Sequence, residues 1–190
     1  MALWGVSDAD ESKPKYLSDA DKKNCIAKPE GWVLKKAVGS RNLEEILVAT
    51  GANLATGIGQ ADITDIEWVT TAFDKSEGGT LSAIVRFNEN VTVSGTPTLS
   101  VTNGNQGSGS GRGPHVLAYA SGSTTNELTF SLAIGAANAA TEANDVLSFG
   151  ANPLAHAGGS TIVDTAGGGN ATITSSAGIG TAAGTITVVA

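Results

Sequence analysis

A single cysteine, Cys25, excludes an intrachain disulfide and leaves no thiolate cluster to hold a metal within one chain. That fits assembly in a reducing cytoplasm. Aromatic residues make up 5% of the chain and charged residues 15%, so any core must be thin and built from Val, Ile, Leu and Ala. A core of that kind gains little over chain entropy, which makes association with neighbouring chains an expected source of stability. No run approaches the roughly 18 apolar residues of a membrane-spanning helix. The opening MALWGVSDADESK lacks the basic and apolar regions of a secretory signal, so the chain is expected to be made and used without secretion. Lys and Arg number 11 against 18 Asp and Glu, a net charge of −7. With no basic block in the sequence, that balance argues against nucleic acid or an anionic membrane as a partner.

What the chain does have is glycine, 25 in 190 residues, and short alternating apolar runs between turn residues. Residues 80–101 are the clearest case. Leu81, Ala83, Val85 and Phe87 are apolar at every second position, the period that turns one strand face to a core. Asn88-Glu89-Asn90 reads as a turn, after which Val91 and Val93 resume the pattern, so a hairpin is predicted. Leu99 and Val101 mark a third run. Residues 116–120 and 126–134 predict another hairpin, with Leu128, Phe130, Leu132 and Ile134 on one face. Residues 146–149, 162–163, 171–174 and 185–189 supply later strands, the last of them either closing the sheet or forming an exposed edge. Trp68, in the opening segment 63–73, is the candidate main core aromatic. Strand runs without intervening helical patterns predict an all-β fold, a β-sandwich rather than a βαβ array.

Residues 1–36 differ in character. Ser-Asp-Ala-Asp occurs twice, from Ser7 and from Ser18. Asp8, Asp10 and Glu11, or Asp19 and Asp21, are oxygen ligands by type, but the central glycine and distal glutamate of an EF-hand loop are missing. Ser18 reads better as the cap of a short helix running from Asp19 toward Ala27, with acids in its first turn and lysines beyond. Residues 31–36 and 44–49 predict a hairpin around a turn at 38–42, and such a pair must add to a sheet or a partner. Trp4, Tyr16 and Trp32 are bulky anchors that either fold back on the sandwich or bind a neighbouring subunit. The expected organisation is an N-terminal arm with short helix and hairpin, residues 1–61, and a sandwich, residues 62–190.

Nothing in the sequence assembles a catalytic, cofactor or metal site. The run 104–113, GNQGSGSGRG, is followed by Pro114-His115 rather than the Gly-Lys-Ser/Thr of a phosphate loop, and is expected to be an exposed loop. His115 and His156 stand in no metal spacing and beside no nucleophile.

Two stretches resemble known proteins. IVRFNENVTVSGTPTLSVTNG, HVLAYASGSTTNELTFSLAI and STIVDTAGGGNATI, spanning residues 62–173, resemble the Ig-like repeats of large bacterial surface proteins and phage virion proteins. MALWGVSDADESKPKYLSDADKKNCIAKPEGWVLKK, with EEILVATGANL, resembles the N-terminal segment of small virion structural proteins of marine T4-like tailed phages. The resemblance implies an Ig-like β-sandwich on an N-terminal arm, a noncatalytic virion protein whose expected post is capsid decoration, with neck, tail or baseplate as the alternative. Its partners would be the major capsid protein or other virion proteins, with the chain repeated in many copies on a particle assembled in the host cytoplasm. An Ig-like glycan-binding or adhesion module is the reading from a different class.

Overall fold

A computed structural model of the chain describes residues 13–14, 16–50, 53–104, 114–138 and 140–190. The protein is all-β, 51% strand against 9% helix, with its sheets packed as a curled half-barrel. It begins with a short helix, α1 (Asp19–Lys23), whose N-cap Ser18 accepts the Asp21 N–H as predicted. Asn24 caps the other end, and the chain then turns into a strand rather than continuing as helix to Ala27. That strand, β1 (Cys25–Lys28), pairs with β2 (Gly31–Val38), which pairs in turn with β3 (Arg41–Ala49), giving a three-stranded antiparallel sheet in the order β1-β2-β3. Its hairpin has the predicted place, closed by Gly39 in the left-handed conformation at φ +62°. A single turn, α2 (Leu54–Gly57), leads out of the sheet.

The larger sheet holds ten strands. In chain order they are β4 (Ile63–Trp68), β5 (Phe73–Asp74), β6 (Gly79–Ser94), β7 (Thr98–Asn103), β8 (His115–Ser121), β9 (Thr125–Ile134), β10 (Val146–Ser148), β11 (Leu154–Ala155), β12 (Thr161–Asp164) and β13 (Ile186–Val189). One hydrogen-bonded path runs β12-β6-β9-β8-β7-β10-β13-β5. Two strands change partner along their outer edges: β6 pairs with β4 and then β12, and β7 pairs with β11 and then β10. The core lies inside the curl, where Leu81, Ala83, Val85, Phe87 and Val91 of β6 meet Leu99, Leu117, Leu128, Phe130, Leu147 and Val188. A helix, α3 (Ala177–Ala182), occupies the Gly/Ala-rich run before β13 and packs against β4.

Three readings of the sequence are corrected, and of the two places open to the last strand the first is met. Residues 80–94 form no hairpin: β6 runs straight through Asn88-Glu89-Asn90, which are absorbed as a bulge between the pairs Arg86↔Glu127 and Val91↔Thr125. A turn there would have exposed these side chains, whereas Asn88 and Glu89 are buried. Trp68 is only partly buried, stacked on Phe149 at 4.2 Å with its indole N–H on the Gly184 carbonyl. The sealed aromatics of the large core are Phe87 and Phe130. Residues 171–174 contribute one isolated bridge, Thr172 with Asp62, rather than a strand, and Asn170 just before them bridges to Val163. The last strand, β13, is interior, flanked by β10 and β5.

Candidate functional site

The N-terminal sheet has its own small core and a free rim. Trp32 is 0% exposed and packs with Cys25, Ala27, Leu34 and Leu54. Ile26 and Val33, cross-strand partners on the opposite face, are equally sealed, and β1 lies against β6. Both faces of the inner half are therefore covered. The outer half of the hairpin is not: Val38, Leu43 and Ile46 are 58%, 49% and 53% exposed. Strand β3 bonds β2 along one edge, and no strand among the described residues pairs with its other edge.

Of the three expected anchors, then, Trp32 is enclosed by its own chain and presents no surface to a partner. Its indole N–H, buried with no hydrogen-bond partner, marks packing as the dominant demand at that position. Tyr16 is 68% exposed beside α1. Trp4 lies outside the described residues, as do Asp8, Asp10, Glu11 and most of the 104–113 loop.

Charges hold the hairpin in place. Lys28 pairs with Glu44 at 2.5 Å and Lys36 with Glu45 at 2.6 Å. Lys35 donates to Asn126 Oδ1 at 2.6 Å, and the buried Asn126 amide reaches the Phe87 carbonyl at 3.4 Å, tying β2 to β9 and β6. Burial lowers the Lys35 pKa, with Glu127 and Glu44 opposing. Between hairpin and β9 lies a cleft of about 490 Å³, lined by Lys35, Lys36, Leu43, Glu44, Asn126 and Glu127 among others. No aromatic ring lines it. Beneath it a ladder of opposite charges crosses three strands. Asp65, Arg86 and Glu127 are register partners on β4, β6 and β9, and Arg86 bonds Asp65 at 3.1 Å, Glu127 at 3.0 Å and also Glu67. Burial works against the Arg86 charge, but the hydrogen bonds it donates to Glu67 and Glu127 outweigh it and raise its pKa.

A second acidic grouping lies within the bulge of β6. Glu89 is 0% exposed and Asp164, at the end of β12, is also 0% exposed. Burial, then the neighbouring Asp164, pushes the Glu89 carboxyl up to about 9. Neither residue was singled out from the sequence, yet a signal is there. Glu89 falls in the same alternating phase as Leu81, Ala83, Val85, Phe87 and Val91, an acid where the core face is due.

The histidines do not converge on a site. His115 is buried with Nε2 3.2 Å from the Thr141 hydroxyl, and burial lowers its pKa against the pull of Asp145; His156 is exposed. Among the described residues no group of three or more His, Cys, Asp or Glu side chains could hold a metal ion, and no helix is long and apolar enough to cross a membrane. Set against protein families, curated proteins and solved structures, the chain finds no match. What the geometry offers is a surface: a strand edge unpaired among the described residues, with apolar side chains on both faces, a form suited to pairing with a strand of another chain.

Proposed function

We propose that this chain is a noncatalytic structural protein of a tailed-phage virion, its large sheet an Ig-like sandwich and its N-terminal sheet the part that meets the particle. Capsid decoration is the post, with neck, tail or baseplate second. The reading is carried by the open edge of β3, flanked by the exposed Val38, Leu43 and Ile46. A long edge strand with apolar neighbours is an aggregation hazard for a free monomer and a natural seat for a partner strand. Support also comes from the resemblance of residues 1–54 to virion proteins and of residues 62–173 to Ig-like repeats. Backbone bonds along β3 would give direction, burial of the three apolar side chains about 25 cal/mol per Å², and repetition on a symmetric particle avidity. A glycan-binding module is less well supported, because the cleft beside the hairpin lacks an aromatic ring for a sugar to stack on.

Electron cryomicroscopy of the source particle tests the proposal. Density for this chain repeating over the capsid lattice, with β3 at the contact, is the expected result. Density confined to the tail moves the chain to the second post, and absence from the particle overturns the virion reading. Leu43→Lys, which charges the rim while leaving both cores untouched, is expected to abolish incorporation.

A further inference from the structure

Every residue from Arg41 to Ile46 is exposed, so the outer half of β3 is bare on both faces as well as along the edge that no described strand pairs with. The ladder fixes which backbone groups that edge presents. The Lys35 N–H donates to the Asn24 carbonyl, on the β1 side of β2. Bonding sides alternate along a strand, so Leu34, Lys36 and Val38 bond β3, and their register partners Glu45, Leu43 and Arg41 spend their backbone groups on β2. Asn42 and Glu44 turn theirs to the open edge. The side chains of Arg41, Leu43 and Glu45 share one face with Val38, the face that Trp32 and Leu34 bury further in. Glu45 pairs with Lys36 and Glu44 with Lys28, whereas Arg41 has no ion-pair partner among the described residues.

An open strand that pairs with a copy of itself does so antiparallel about a two-fold axis, with the outward-turned residues of one copy facing those of the other. An axis at Glu44 or Glu45 sets two like acids opposite one another. At Ile46 the pairing runs into the register shift opposite Trp32 and Val33, and at Asn42 it runs into the turn. An axis at Leu43 meets neither obstacle. Asn42 then exchanges backbone bonds with Glu44 of the partner subunit, and Leu43 lies against Leu43 of the partner subunit. Arg41 stands opposite Glu45 of the partner subunit, an opposite-charge pair that the two-fold axis repeats. Val38 and Leu43 of the two copies join into one apolar stripe on that face. We infer that the free edge of β3 is closed by a second copy of this chain, paired antiparallel about Leu43 and selected by the reciprocal Arg41–Glu45 contacts. This pairing rests on the reading of β3 as a seat for a strand and names the strand that fills it.

Sedimentation velocity of the full chain over a dilution series reads the association, and a monomer–dimer equilibrium is expected. Arg41→Glu and Glu45→Arg each set like charges opposite one another twice, so each is expected to weaken the dimer by on the order of tenfold. Mixed in equal amounts, the two variants regain both opposite-charge pairs, and restored association as a heterodimer is expected. Wild-type chain that stays monomeric at its highest soluble concentration overturns the pairing, and so does a mixture that associates no better than its components. Should either variant fail to fold, Leu43→Cys reads the register. Facing residues that share no backbone bonds have Cα atoms about 4.5 Å apart, within disulfide reach. With Cys25 buried, oxidation of Leu43→Cys is expected to link two copies, while Glu44→Cys, offset across the axis, is expected not to link. No link in Leu43→Cys, or equal linking in both, overturns the axis at Leu43. A dimer in solution stands whether or not the particle holds the chain, and a monomer that still enters the particle overturns the dimer while leaving the virion reading in place.

Discussion

Replacing Arg86 by Met removes the charge that three acids share while keeping most of the volume that fills the space under the hairpin. The Arg86 side chain is 13% exposed and Asp65 9%, whereas Glu67 and Glu127 are 48% and 40% exposed. The two outer pairs are screened by water and contribute about 0.5 kcal/mol each. Asp65 is different. Breaking a buried pair by removing one partner costs roughly 3–5 kcal/mol, reduced here because Lys23 Nζ remains 3.4 Å from the same carboxylate. The sum is a destabilisation of about 3 kcal/mol, which for a chain of this size lowers Tm by on the order of 6–12 °C. Urea unfolding at low and high salt measures it. The double variant Asp65→Asn/Arg86→Met no longer buries an unpaired charge, so it is expected to recover most of the loss. A loss below about 1 kcal/mol for Arg86→Met, or a double variant as unstable as the single one, would refute a buried ladder of charges as the element holding β4 to β6 and β9.

Three further outcomes are expected. His115 is held neutral by burial, so above its ordinary value of 6.5 it costs nothing, and as pH falls the unfolded chain takes up a proton that the folded one resists. Stability should therefore decline below that pH by up to about 1.4 kcal/mol per pH unit, a slope absent from His115→Gln in pH-dependent denaturation. Burial pushes the Cys25 thiol up to about 11, so a thiol reagent at neutral pH should label the native protein only at its unfolding rate, and fast labelling would contradict the enclosed N-terminal core. Gly31 opens β2 at φ +142°, where an added Cβ would stand 1.9 Å from the Val48 carbonyl oxygen; Gly31→Ala should cost about 2 kcal/mol or more and speed amide exchange along β3.

How far the sequence could be read depended on whether a residue's environment was local. The hairpin of β2 and β3 was legible because alternation and a turn glycine are neighbours in the chain, and Ser18 was legible as a cap for the same reason. β1 was not, because four residues after a helix acquire strand character only from pairing with β2. Asn88-Glu89-Asn90 misled because its composition favours turns, while its burial is decided by Asp62 and Thr165, which bond it from distant segments. Trp68 has the bulk of a core residue but sits beside Phe149 and Gly184 at the rim, a placement no local pattern specifies. Trp32 shows the converse limit. Its size marked it as an anchor, and only its packing with Leu34 and Leu54 shows that it anchors its own sheet.

The interior position of β13 bears on how the protein is made. Phe73 and Asp74 of β5 find their parallel partners only in Val188 and Val189, and the indole of Trp68 bonds a carbonyl 116 positions further along. During synthesis β5 and the outer edge of β10 therefore leave the ribosome with their pairing groups bare and wait for almost everything that follows. Such late, long-range closure is slow and leaves the nascent chain open to strand exchange with its neighbours. A polysome making many copies is where this fold is most exposed to error, and holding chaperones acting before residues 186–189 emerge would improve its yield most.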